Sequence, residues 1–186
     1  LTLCEEGLAI FRRLDERPGI IWALNALGEM ARMDGDYERA GRAYEESLAM
    51  AREEGDKLRQ ALPLGNLGYV AQQAGDYERA EAAHLEGLAL FLELENTRHI
   101  PQHLAILAGP VAAQGYLKKA ARLLGASEGL LEKMGLVAQA ADQVEIERYE
   151  AAVREQLDEA TFEAAWSEGR AMSLEEAVAY ALGSEK

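Results

Sequence analysis

The sequence predicts an all-α protein built from stacked antiparallel helix pairs, and three observations support this prediction. The stretch Gly-Asp-Tyr-Glu-Arg-Ala occurs at 35–40 and again at 75–80, and a weaker copy, Gly-Tyr-Leu-Lys-Lys-Ala, occurs at 115–120. The copies are forty residues apart. Aromatic residues make up only 6% of the 186-residue chain and there are four prolines, a composition that favours helix over strand.

Each forty-residue unit reads as a helix, a short Gly-Asp turn and a second helix. Apolar residues recur at helical spacing before each turn: Leu24, Leu27 and Ala31 before the first, and Leu64, Leu67 and Ala71 before the second. We expect Gly35 and Gly75 to end the first helices with a positive φ angle, and Asp36 and Asp76 to cap the second helices. Neither helix can bury its apolar stripe by itself, so successive pairs should stack.

These motifs resemble the tetratricopeptide repeat. The first helix carries a Leu-Gly pair, here Leu27-Gly28 and Leu67-Gly68, and the second helix opens after Gly-x-Tyr-x-x-Ala, here at 35–40 and 75–80. A mid-helix glycine costs about 1 kcal/mol relative to alanine and is tolerated where a neighbouring helix must approach closely. The period of forty would also fit a HEAT or armadillo repeat, but the Leu-Gly and Gly-x-Tyr-x-x-Ala pattern decides for the tetratricopeptide repeat, whose usual period is about 34.

The resemblance covers residues 1–134, with the first repeat truncated, and it implies a right-handed superhelical stack of antiparallel helix pairs. The chain begins without Met and inside an amphipathic pattern, so we expect it to be a piece of a longer protein.

Residues 135–186 are predicted to form an irregular helical cap of the same domain, because the repeat fades there. A long helix is expected over 137–157, with Val144, Tyr149 and Val153 among its apolar positions. A shorter helix should follow a cap at Asp158. The last helix carries Ser173 and Glu176 at the spacing of a capping box. The aromatic pair Phe162 and Trp166, one helical turn apart, is expected to seal the end of the core.

This C-terminal part resembles the tail of large bacterial regulators in which an NTPase of the signal-transduction ATPase class precedes a tetratricopeptide region, often with a LuxR-type DNA-binding domain. The matching positions are Arg122, Leu123, Leu124, Gly125 and Ala126, then Phe162, Ala165, Trp166, Gly169, Arg170, Ser173, Leu174, Glu175 and Ala177. The resemblance implies a role in a bacterial cytoplasmic regulator of transcription. The chain itself carries neither NTPase nor DNA-binding motifs.

Charge and composition exclude several kinds of partner. The net charge of −14 argues against direct binding to the phosphate backbone of nucleic acid and against an anionic membrane surface. Cys4 is the only cysteine, which fits a reducing, cytoplasmic compartment. No apolar run approaches the length of a membrane span.

No motif predicts catalysis, and we expect no cofactor and no metal. The chain has no phosphate-binding loop and no Gly-x-Ser-x-Gly elbow. His99 and His103 have the i, i+4 spacing of two metal ligands, but Pro101 between them places a helix start there, and surface histidines are the preferred interpretation. Glu29 and Arg32 are interpreted as a solvated ion pair, and Cys4 as a packing residue.

The functional surface of such a stack is expected to be the concave face lined by first helices. The resemblance implies that this face carries Trp22, Asn25, Glu29 and Arg32, then Asn66, Tyr69, Gln72 and Gln73, and finally Gln102. An exposed Trp, a Tyr and several amides suit a peptide backbone or a small polar ligand. The alternative is that Trp22 belongs to the core.

The leading functional hypothesis is therefore a non-catalytic interaction or ligand-sensing module, with a protein, peptide or small effector as its partner. The alternative is a self-association module, because the first helix lacks its pair and a homodimer could cover its apolar face. A metal-dependent enzyme that uses the His99/His103 region is the alternative from another class.

Overall fold

The computed structural model describes residues 2–137 and 140–183, and within these ranges the chain is helical without any strand. The predicted all-α fold, with consecutive helices packed in pairs, is confirmed. The described helices are α1 (Thr2–Arg13), α2 (Arg17–Met33), α3 (Tyr37–Glu53), α4 (Lys57–Gln73), α5 (Tyr77–Glu93), α6 (Ile100–Ala113), α7 (Leu117–Met134), α8 (Ala140–Arg154), α9 (Glu159–Ala171) and α10 (Leu174–Ala181), with one turn of 3₁₀ helix (Thr97–His99) before α6.

The chain divides into two compact units, residues 1–90 and 91–186, and the boundary falls within α5. The division of the sequence at 134/135 has a different basis, the end of the repeat pattern, and it stays a prediction. The first unit contains α1 to α4 and most of α5, and the second contains α6 to α10.

The Gly-Asp turns of the first unit have the predicted geometry. Gly35 and Gly75 both have a φ of 77°, a conformation that favours glycine. The Asp36 carboxylate accepts a hydrogen bond from the Arg39 backbone N–H at 3.0 Å, and the carboxylate of Asp76 accepts one from the N–H of Arg79 at 3.2 Å. Each aspartate therefore caps the second helix of its repeat.

The Leu-Gly pairs mark close approaches between the two helices of a repeat, as predicted. A Cβ atom added to Gly28 of α2 would lie 2.5 Å from the Tyr44 ring of α3. At Gly68 of α4, a Cβ atom would lie 2.5 Å from the ring of His84 in α5. Tyr44 and His84 occupy equivalent positions forty residues apart, so in both repeats a glycine makes room for one buried ring.

Ion pairs connect the second helices of successive repeats, and they repeat with the sequence. Arg12 of α1 contacts Glu46 of α3 at 2.5 Å, and Arg52 of α3 contacts Glu86 of α5 at the same distance. All four side chains are about half exposed. Exposed pairs of this kind contribute at most about 1 kcal/mol each, so they add little to the stability of the stack.

Cys4 is half-buried and packs against an apolar cluster that includes Leu8, Ile20 and Leu24. Its predicted role as a packing residue is confirmed.

In the second unit, α7 and α9 pack backbone against backbone. A Cβ atom on Gly125 or Gly129 of α7 would collide with the backbone of Trp166 or Arg170 in α9, and one on Gly169 of α9 would collide with the backbone of Arg122. The two separated segments that resemble the regulator tail are therefore in contact with each other.

Helix α8 lies inside the predicted range of 137–157, of which residues 138 and 139 are outside the described residues. Of its three named apolar positions, Tyr149 and Val153 are buried, whereas Val144 is 67% exposed. Val144 precedes Tyr149 by five positions, which places it about 140° away around the helix.

The last two helices begin as predicted. The Asp158 carboxylate accepts a hydrogen bond from the Thr161 backbone N–H at 2.9 Å, and Ser173 and Glu176 form a reciprocal capping box. Phe162 is fully buried, and its ring centroid lies 5.2 Å from that of Trp166.

Candidate functional site

A groove of about 290 Å³ lies between α2 and α4, the first helices of two successive repeats. Its lining residues come from both helices: Ile21, Trp22, Asn25, Ala26 and Glu29 from α2, and Arg59, Leu62 and Asn66 from α4. The binding surface expected from the sequence also lay on the first helices, and this groove lies between two of them.

Large apolar side chains are exposed at the groove. Trp22 is 69% exposed, although its neighbours Ile21 and Ala23 are buried, so it does not belong to the core. Leu62, at the equivalent position one repeat later, is 65% exposed. The repeat thus presents a large apolar side chain at the same outward position twice.

A polar network forms part of the wall beside Trp22. The Asn25 Nδ2 group donates hydrogen bonds to the Ile21 carbonyl at 3.1 Å and to Ser47 Oγ at 2.7 Å. Ser47 donates its own hydrogen to the same carbonyl at 3.2 Å. Because the Ser47 hydroxyl donates to this carbonyl, its oxygen accepts the hydrogen bond from Asn25 Nδ2. This pairing fixes the orientation of the Asn25 amide. The Asn25 Oδ1 atom is buried and has no hydrogen-bond partner within the described part of the chain.

Glu29 forms the ion pair that was predicted from the sequence, and it also takes part in a larger, half-buried hydrogen-bond network. It pairs with Arg32, whose Nε donates to its carboxylate at 3.0 Å, and it accepts a 3.2 Å hydrogen bond from the Tyr44 hydroxyl. The hydrogen bonds from Arg32 hold the pKa of Glu29 below its ordinary value. Burial raises the pKa of Tyr44, which therefore stays a hydrogen-bond donor. The Arg32 guanidinium lies 4.8 Å from the centroid of the Tyr69 ring.

The structure brings some of the predicted binding residues together and separates others. Of the predicted residues, Trp22, Asn25, Glu29 and Asn66 line the groove. Arg32 and Tyr69 contact this set through the network around Glu29. Gln72 and Gln73 lie at the end of α4 and do not line the groove.

Gln102 belongs to the second unit, where it lines a different and smaller cavity of about 80 Å³. The other lining residues of this cavity are Arg98, His99, Leu131, Leu136, Val137 and Ile146.

The two histidines proposed as surface residues differ in their environment. His99 is half-buried directly before α6, but His103 is only 9% exposed, so its assignment to the surface was wrong. The His103 and Phe91 ring centroids are 4.8 Å apart. Burial lowers the pKa of His103 to about 4, with a smaller contribution from the nearby His99. No three His, Cys, Asp or Glu side chains among the described residues are grouped as metal ligands.

Sequence reasoning missed Arg59 and Leu62, which form part of the α4 side of the groove. The repeat itself could have identified Leu62, because it is the counterpart of Trp22 forty residues later. No such signal marks Arg59, whose counterpart is a glycine, Gly19.

Comparison with known families gives a match in the N-terminal half of the chain. The profile described as Tetratricopeptide repeat matches residues 1–53 and 30–93, which together cover half of the 186 residues. No curated protein matches the chain. Over the residues that the structure describes, no helix has both the length and the apolar character needed to cross a membrane.

Proposed function

This chain belongs to the tetratricopeptide-repeat family, and we propose that it is a non-catalytic interaction module that holds a segment of a partner protein in the groove between α2 and α4. Repeats of this family generally mediate protein–protein interactions, and the groove lies between the first helices of adjacent repeats. The groove suits a side chain of the partner better than a large cofactor, because its volume is only about 290 Å³.

One observation carries the proposal. Trp22 is 69% exposed at the groove although Ile21 and Ala23 on either side of it are buried. Tryptophan is one of the residue types enriched among the few that carry most of the binding energy of an interface. The exposed position of Trp22 therefore supports a contact with a partner.

Further proposals concern the setting of the module. The resemblance of residues 121–135 and 162–182 to the tail of bacterial regulators supports a place in a cytoplasmic regulator of transcription. There, occupation of the groove would act on domains outside this chain. A small effector in the same groove is the alternative ligand. The charge of −14 supports a partner other than nucleic acid.

A selection from a displayed library of random ten-residue peptides tests the binding role. The wild-type chain should enrich peptides that the Trp22→Ala variant no longer binds. Tyr116→Ala is the matched control, because Tyr116 is another exposed aromatic residue, in the second unit. Peptides that bind all three proteins equally would show that the groove is not the binding surface.

Self-association is a second candidate, favoured by the exposed apolar side chains of α1 and the turn after it. Leu3 is 84%, Ile10 45% and Leu14 65% exposed. Light scattering over a tenfold range of concentration tests this role. A constant monomer mass would exclude it, and a dimer that Ile10→Glu dissociates would support it.

A further inference from the structure

We propose that the groove between α2 and α4 accepts an arginine side chain of the partner, with its carbon chain against Trp22 and Leu62 and its guanidinium directed towards the Glu29 carboxylate. This inference rests on the proposed function, since it names the chemistry of the segment that the same groove would bind.

The apolar part of the groove suits a long, flat-ended side chain. Trp22 and Leu62 are both more than 60% exposed, and Ala26 also lines the groove. The methylene groups of arginine can cover such surface while the charged end reaches polar groups. A guanidinium also stacks favourably on the face of an indole ring.

In the polar part of the groove, neither Glu29 nor Asn25 has a hydrogen-bond donor to offer a ligand. A ligand group that donates hydrogen bonds therefore fits better than one that accepts them. Glu29 is ionised at neutral pH because its hydrogen bonds with Arg32 favour the carboxylate, and this group accepts hydrogen bonds only. The Asn25 amide offers no donor to a ligand either, because both of its N–H groups are already used on Ile21 and Ser47. A guanidinium brings five N–H donors and no acceptor.

The cationic lining residue Arg59 does not oppose this occupant, because its charge is compensated. Arg59 forms an ion pair with Asp56, which also caps α4 by accepting from the Arg59 backbone N–H at 2.9 Å. Residues 1–90 contain 17 acidic and 10 basic residues, a net charge of −7. The first unit therefore attracts a basic segment at long range.

The chain places its own arginines in the same kind of environment. Arg32 lies 4.8 Å from the Tyr69 ring centroid while it pairs with Glu29. Arg154 lies 3.8 Å from the centroid of the Phe162 ring while its Nε donates to a glutamate at 3.0 Å. An arginine that contacts an aromatic ring and a carboxylate at the same time is therefore a recurrent arrangement in this structure.

The experiment begins with the ten-residue peptides that the wild-type chain selects and Trp22→Ala does not. Each enriched arginine is replaced by citrulline, which keeps the shape of arginine but removes its charge, and by leucine. We expect both replacements to weaken binding by about tenfold or more, equivalent to about 1.4 kcal/mol. Glu29→Gln should weaken binding of the arginine peptide to a similar extent and leave the citrulline peptide almost unchanged.

Glu38→Gln is the matched control for Glu29→Gln. Glu38 also pairs with an arginine of its own helix, Arg42, but it lies on α3 and does not line the groove. This variant should bind the arginine peptide as the wild type does, and circular dichroism should show that both variants keep their helices.

The outcomes separate the two proposals. Peptides that depend on Trp22 but carry leucine or another apolar residue in place of arginine, or that bind equally with citrulline, would overturn the arginine assignment and leave the groove as the binding site. A selection that yields no peptide dependent on Trp22 would overturn both.

Discussion

Trp22 and Leu62 occupy the same position in successive repeats, and both are exposed. We therefore expect Trp22→Ala to change the free energy of unfolding by no more than about 0.5 kcal/mol, as is usual for a surface position. Urea unfolding followed by circular dichroism measures this quantity. A loss of 2 kcal/mol or more, roughly the range for truncating a core side chain, would mean that Trp22 supports the fold.

His103 gives the second unit a dependence on pH whose sign follows from its burial. The pKa of His103 is lowered from 6.5 to about 4 in the folded chain. Between these values the unfolded chain binds the proton more readily, so stability falls as the pH falls from about 7 to 4. The facing groups are His99, which adds repulsion, and the uncharged ring of Phe91. The full effect is about 3 kcal/mol.

The measurement compares variants, because carboxylates also titrate in this range. In His103→Leu, the decrease in unfolding free energy between pH 7 and pH 4.5 should be clearly smaller than in the wild type. His99→Gln is the control and should keep most of the wild-type decrease. Equal decreases in the wild type and His103→Leu would show that His103 does not carry the effect.

At the scale of the helices, we predict that replacing glycine by alanine has opposite effects on stability at two positions. An alanine at Gly28 would place its Cβ 2.5 Å from the Tyr44 ring, whereas at Gly7 of α1 nothing lies within 4 Å of the added atom. We expect Gly28→Ala to destabilise the chain by about 1–3 kcal/mol through overpacking. Gly7→Ala should stabilise it by up to about 1 kcal/mol through helix propensity.

Thermal unfolding of the two variants beside the wild type checks this pair of predictions. A Gly28→Ala variant as stable as the wild type would show that the Tyr44 ring can move aside, and that the Leu-Gly pair is not required for packing within the repeat.

The turns and helix ends were predictable because their causes are local. Gly35 needs a positive φ whatever surrounds it, and Asp36 caps a backbone N–H three residues away. The exposure of Val144 and the burial of His103 depend on which face of a helix meets its neighbours. Spacing along one helix does not give this face when apolar residues occur on more than one side.

Part of the candidate site could also be predicted from the sequence, because it depends on the repeat. A repeat assigns first and second helices, and this placed Trp22, Asn25, Glu29 and Asn66 on the two helices that line the groove. The division of the chain into two compact units was not visible in the repeat pattern, so Gln102 was grouped with residues of the first unit although it lines a cavity in the second.

At the scale of the whole molecule, the net charge of −14 predicts how binding depends on salt. The association rate of a selected arginine peptide should fall as the salt concentration rises from about 0.05 M to 0.5 M, because screening shortens the range of the attraction. Its dissociation rate should change less. Stopped-flow mixing measures both rates, and the citrulline peptide should show a weaker dependence. An association rate that does not respond to salt would mean that the acidic surface has no role in attracting the partner.

The fluorescence of Trp22 tests the central claim, that the groove between α2 and α4 is the binding surface, most directly. Trp22 and Trp166 are the only tryptophans, so a Trp166→Phe variant with intact helices reports on Trp22 alone. On addition of a selected peptide, we expect the emission to shift to shorter wavelength and to become protected from acrylamide quenching, because the ligand covers the indole. Unchanged emission and quenching at a peptide concentration that calorimetry shows to be saturating would contradict the claim and place the binding surface elsewhere.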